Sequence, residues 1–142
     1  MIIVDVNLLI YAVNREAPKH ERAKSWLEAA ISGTETVGMP WAVVLAFLRL
    51  TTRAGLFQRP LAAEAAFELV EAWLQHPMVT VIEPMERHLN ILRDLVLPLG
   101  TAGNLTSDAH LAALAIEYGA KLCSTDNDFA RFGGLRWYNP LA

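Results

Sequence analysis

The chain reads as an α/β protein built on a mostly parallel sheet of four to five strands, and three observations lead there. Short, largely apolar runs such as Ile2-Ile3-Val4 and Lys121-Leu122-Cys123 have the composition of strands buried on both faces. Longer segments with apolar residues at helical spacing alternate with these runs. Strands separated by helices are joined by right-handed crossovers, which cover a parallel sheet on both sides. The 142 residues fit one domain, 1–142. A domain of that size buries roughly 68–70% of its unfolded surface, enough for a full core.

Met1 to Val6 is the first strand, and Asn7 is placed to cap a helical stretch from Leu8 to Val13. Pro18 precedes an amphipathic helix from about Lys19 to Ile31, with Ala23, Trp26, Leu27 and Ala30 on one face and Gly33 at its end. A second strand is expected near Thr36 to Met39. Pro40 then opens an apolar helix from Trp41 to about Thr52, with a stripe read as Val44, Leu45, Leu48 and Thr52. A turn through Gly55 to Pro60 leads into a helix from Leu61 to about Gln75, and the two helices are expected to form a hairpin.

Val79 to Ile82 is a third strand and Arg87 to about Leu97 a further helix, followed by the turn-rich stretch Pro98 to Asn104. Thr106 or Ser107 is expected to cap a helix with the stripe Leu111, Leu114, Ala115 and Tyr118, ended by Gly119. Lys121 to Ser124 is the fourth strand, and Arg136 to Tyr138 adds an edge strand before Pro140. Trp41, Leu45, Leu48, Phe57 and Trp73 are assigned to the core, with an apolar surplus that points to a partner surface. His20, His76, His88 and His110 are read as surface or core residues without ligand partners.

With 54% hydrophobic and 19% charged residues the chain is more apolar than an ordinary soluble domain, and oligomerisation is expected. The single Cys123 excludes an internal disulfide framework, and its apolar run makes it a buried, inert thiol. No basic leader and no apolar stretch of membrane-spanning length is present, so a cytoplasmic protein without membrane attachment is expected. The net charge of -3 gives no general attraction for nucleic acid. Its distribution is uneven: no acid falls between Glu35 and Glu64, while Arg49, Arg53 and Arg59 do. Those arginines either form a phosphodiester-facing patch or solvate a helix face.

The chemistry lies where the strands stop. Asp5 follows the first strand, Asp126 and Asp128 follow the fourth, and Asp108 opens a helix between them. In an open parallel sheet the carboxyl ends of the strands face one crevice, so these acids converge. Two carboxylates about 4 Å apart repel by roughly 4 kcal/mol near a protein surface, so such a group either takes up protons or holds a cation. Carboxylate oxygen and water suit Mg²⁺ or Mn²⁺, whereas zinc would want the His and Cys that are scarce here. Each aspartate alone is an ordinary turn former or helix cap, and the joint placement carries the signal.

Four segments in order, Val4-Asp5-Val6-Asn7-Leu8-Leu9, Pro40 to Leu50, Gly103 to Ala112 and Ser124-Thr125-Asp126-Asn127-Asp128-Phe129, make the chain resemble PIN-domain proteins. Within them it is most similar to the VapC-type toxin ribonucleases of prokaryotic toxin–antitoxin systems. The resemblance implies a three-layer α/β/α sandwich that binds Mg²⁺ or Mn²⁺ and cuts RNA as an endonuclease, with a cognate antitoxin and a homodimer. It assigns the metal to Asp5, Asp108 and Asp126, with Asp128 as a further catalytic acid. Asn7 and Thr125 match polar neighbours that orient ligands near the substrate, and Arg49 is placed to steady a phosphate.

One departure stands out. Many members carry a glutamate in the helix after the second strand, and the matching position here is Ala46. The loss bears on a second ion more than on the first. Two other readings remain at this point, a PIN-like module that binds RNA or protein without turnover, and a receiver-like phosphoacceptor. The latter needs a late lysine near the acids, and the only one, Lys121, starts a strand at the far end of the sheet.

Overall fold

Ile2, Ile3 and Val4 are all buried, which requires cover on both faces and places their strand, β1 (Ile2–Val4), in the middle of the molecule. The chain continues through α1 (Val6–Val13), α2 (His20–Ile31), β2 (Val37–Pro40), α3 (Trp41–Thr52), α4 (Ala63–Leu74) and β3 (Val79–Ile82). It ends with α5 (His88–Val96), α6 (Thr106–Glu117), β4 (Lys121–Cys123) and β5 (Trp137–Tyr138). The computed structural model describes residues 1–142.

All five strands are parallel, in the order β3-β2-β1-β4-β5. From β1 the chain steps outward to β2 and β3, then returns across β1 to β4 and β5. Right-handed crossovers place α1 to α4 on one face and α5 and α6 on the other. Accordingly α1 packs on α2 and α3, α3 packs on α4, and α5 packs on α6. This is the expected three-layer α/β/α sandwich. The reversal of direction beside β1 opens a crevice at the carboxyl ends of β1 and β4, where Val4 and Cys123 stand side by side.

The core runs through both layers, with Leu8, Leu9, Phe47, Leu114, Leu122 and Phe129 closed to solvent. Burial of side chains this size contributes about 1.5–3 kcal/mol each, so a handful of them holds the strand ends in place. Gly38 in β2 is there for lack of room: a Cβ would stand 3.1 Å from Ile82 Cδ1 and 3.3 Å from Ile3 Cγ1. Gly119 ends α6 with φ of +63°, the left-handed conformation expected there. No helix is long and apolar enough to cross a membrane.

Several local expectations need correction. Asp5, not Asn7, caps the first helix, which begins at Val6, two residues earlier than expected. Neither Thr106 nor Ser107 caps α6; Leu105 is the cap residue, and the Thr106 hydroxyl donates to Gly103 O. The buried stripe of α3 is Val43, Val44, Phe47 and Thr51, one position off the expected set, and Leu45 and Trp41 are 60% and 48% exposed. Because α3 is apolar almost all round, its pattern does not reveal which side faces inward. Helix α6 is buried nearly all round as well, and α4 starts at Ala63, after an extended Ala62, and not at Leu61.

Candidate metal centre

Asp5 ends a strand and starts a helix at once. Its amide donates to Cys123 O at 3.0 Å, extending the β1–β4 ladder, and its Oδ1 accepts the Val6 N–H at 2.7 Å to cap α1. Oδ2 accepts the Ser124 hydroxyl at 2.7 Å and the Asn7 amide at 3.3 Å. Ser124 Oγ also accepts from Asn7 Nδ2 and from the Asp126 N–H, both at 3.0 Å. Thr125 joins through its backbone, whose N–H donates to Asn7 Oδ1 at 3.4 Å. One buried hydroxyl thereby ties the end of β1, the start of α1 and the loop after β4 into a single hub.

Asp126 caps a 3₁₀ turn over Asn127–Arg131, its Oδ1 accepting the Asp128 N–H at 2.9 Å. Asp108 stands in the first turn of α6, where the helix dipole favours an anion. Asp108, Asp126 and Asp128 each offer a carboxylate oxygen within 4.8 Å of the others. Asp5 is not in that trio, yet it is close enough to act on the charge of Asp108, as Asp126 acts on Asp5.

The electrostatics show what the cluster lacks. Burial and then the charges of Asp126, Asp5 and Asp128 raise the Asp108 carboxyl from the ordinary 3.8 to about 6. Asp5 is also raised, chiefly by burial, against the lowering effect of its bonds from Ser124 and Val6. The one cation paired with the cluster is Arg131, 3.5 Å from the half-exposed Asp128. Four carboxylates with so little counter-charge, all oxygen donors, fit a hard divalent cation. Cys123 is no competitor, since burial pushes its thiol up to about 12.

Asp5 and Asp108 line a cavity of about 800 Å³ with Arg49, Ala46 and Leu92. Arg49 makes no ion pair within the chain and is free to meet an anion there. Ala46 leaves the α3 wall without a carboxylate. Lys121 lies at the opening of β4 opposite Ile2, with its ammonium 5.5 Å from the Tyr138 ring, at the opposite end of the sheet from the acids.

Two parts of the site escaped sequence reasoning. Ser124 sits in a recognised motif, but a serine next to a threonine gives no sign of which hydroxyl turns inward. The histidines are not partnerless: His88 Nε2 and His110 Nδ1 are 3.0 Å apart, and burial and His88 lower the His110 pKa. Their separation along the chain leaves no local pattern to read.

The family model for the PIN domain matches residues 2–135. Over its full length the chain is 48% identical to Ribonuclease VapC37 of Mycobacterium tuberculosis, covering 99% of that protein. It is 43% identical to Ribonuclease VapC33 of the same species, over 99% of each chain. Among solved structures it is similar to a chain of VapBC2 from Rickettsia felis bound to a DNA fragment from their promoter, with a TM-score of 0.73, 19% identity and 98% of each chain covered.

Proposed function

This chain is a VapC-type member of the PIN-domain family, and on that premise we propose that it is a divalent-metal-dependent endoribonuclease, the toxin of a toxin–antitoxin pair. The observation that carries the reading is a cluster of four under-compensated aspartates, two of which, Asp5 and Asp108, line a cavity that also holds an unpaired arginine. Residues 1–142 are taken as one PIN-like domain acting in the cytoplasm.

Asp5, Asp108 and Asp126 hold the ion, which we take to be Mg²⁺ or Mn²⁺. Such an ion supplies Lewis acidity, making water a competent nucleophile at neutral pH and offsetting charge on the phosphoryl oxygens. The chain's own groups supply the rest. Ser124 and Asn7 fix the Asp5 carboxylate through Oδ2, while Oδ1 accepts only the Val6 N–H and keeps a lone pair for the ion. Asp128, half exposed at the edge of the cluster, orients the attacking water, and Arg49 holds the phosphate across the cavity. Ala46 brings no carboxylate from α3, so the acids present are assigned to a single ion.

The proposed partners are RNA, a cognate antitoxin and a second copy of the chain. Trp41 and Leu45 give α3 an exposed apolar face next to the cavity, suited to an apolar segment whose basic side chain reaches the acids. The test is cleavage of total RNA by purified protein freed of any antitoxin, with Mg²⁺, Mn²⁺ or EDTA. Cleavage is expected with either ion and none with EDTA, and Asp5→Asn and Asp108→Asn each should cost more than about a hundredfold, beyond the cost of losing an orienting partner. Equal rates for the variants would overturn the reading.

A further inference from the structure

A buried carboxylate and two histidines outside the metal cluster form a chain that ends on the wall of the same cavity. Glu117, at the end of α6, accepts the N–H groups of Met85 at 2.8 Å and Arg87 at 2.9 Å. His88, at the start of α5, is buried with Nδ1 3.7 Å from Glu117 Oε1. Its Nε2 lies 3.0 Å from His110 Nδ1, the rings meeting edge-on at 72°. His110 lines the cavity that holds Asp5, Asp108 and Arg49. With Nδ1 engaged, Nε2 is its remaining polar atom.

His88 Nδ1 makes no hydrogen bond, and the nearby carboxylate favours one placement of the protons along this chain. A neutral imidazole carries one N–H and one bare nitrogen. A bare His88 Nδ1 would set its lone pair against a buried carboxylate oxygen, a costly arrangement in a low-dielectric site, whereas an N–H there is attracted to it. His88 therefore keeps its proton on Nδ1 and leaves Nε2 bare. A bare nitrogen at 3.0 Å requires the proton of His110 on Nδ1. His110 Nε2 is then bare too, and the ring offers the cavity an acceptor.

An acceptor does not bind phosphate oxygens, which also only accept; it selects a donor. Resting on the ribonuclease reading, we propose that His110 Nε2 accepts a hydrogen bond from the 2′-hydroxyl of a ribose flanking the scissile phosphodiester, and that Glu117 and His88 set the tautomer that makes this possible. Two residues beyond Asp108, the His110 backbone lies about 3 Å farther along the α6 axis, and the ring is assigned to a neighbouring nucleotide and not to the bond being cut. The 2′-hydroxyl is the group that separates RNA from DNA. His110 is thus the residue by which this chain tells the two apart.

The test compares cleavage of an all-ribose oligonucleotide with versions carrying one 2′-deoxy residue at a time around the cut, above the imidazole titration range, for the parent chain and His110→Ala. Losing one hydrogen bond should slow the parent about tenfold at one flanking position. His110→Ala should be about tenfold slower than the parent on the all-ribose strand and indifferent to the deoxy sugar at that position. A parent insensitive to every deoxy sugar, a variant that keeps the parent's sensitivity, or a dependence on the flanking base alone would overturn the proposal and leave the nuclease standing. A parent that cuts no RNA with Mg²⁺ or Mn²⁺ overturns both. Ring ¹⁵N NMR of the parent reads the tautomer without turnover: a proton on Nδ1 and a bare Nε2 are expected for His110, and an Nε2–H contradicts the assignment.

Discussion

Ser124 has no charge and touches no solvent, yet its hydroxyl bonds to Asp5, Asn7 and the Asp126 backbone. Ser124→Ala removes the only hydroxyl donor to the Asp5 carboxylate, strips the Asp126 N–H of its partner and leaves the Asn7 amide with only its longer bond to Asp5. Removing an orienting partner of this kind typically costs about 10–100-fold in metal affinity or activity. The expected result is weaker Mn²⁺ binding by calorimetry with the fold retained. Asp108 carries a pH signature. Its carboxyl titrates near 6 in the ion-free chain and 3.8 unfolded, so between those values the folded chain holds the proton more tightly. Stability of the ion-free protein is therefore expected to fall as pH rises through that window, and to be regained on adding Mg²⁺. Thermal melts should show a larger Mg²⁺ shift near about pH 7.5 than near about pH 5, because the ion needs the deprotonated group. Asp108→Asn should flatten this dependence while abolishing cleavage.

At the scale of elements, the strands were the most legible part of the sequence. Ile2-Ile3-Val4 and Leu122-Cys123 are too short and too apolar for surface helices, and an acid just beyond a buried parallel strand has one crevice to enter. Helix faces were read less well where composition was uniform. In α3 the sequence offers Val43, Val44, Leu45, Phe47 and Leu48 on overlapping faces, and tertiary packing against Trp73 decides which go in. Phe47 is closed to solvent and meets Trp73 edge-on at 5.0 Å. Phe47→Ala should cost about 3–5 kcal/mol in urea unfolding, and Leu45→Glu within about 0.5 kcal/mol. The reverse ranking would mean that the exposed stripe is the packed one. Long-range polar pairings such as Asp5 with Ser124 and His88 with His110 stayed hidden, because hydrogen bonds between distant residues leave no periodicity.

For the whole molecule, one sheet carries two separable demands. The carboxyl ends of β1 and β4 gather negative charge that destabilises the ion-free protein, and the core beneath supplies the stability to tolerate it. The exposed apolar face of α3 adjoins that charge, so a protein that covers the face also reaches the acids. Co-expression with the neighbouring open reading frame is expected to give a complex that purifies intact and cuts no RNA. Leu45→Glu should break that complex without unfolding the chain, and an undisturbed complex would place the partner elsewhere. The most direct measurement is anomalous diffraction from crystals soaked in Mn²⁺. A manganese peak within bonding distance of Asp108 and of Asp5 or Asp126 is expected, and it should vanish in Asp108→Asn. A well-ordered crevice with no peak, or manganese bound only elsewhere on the surface, would contradict the shared-ion account.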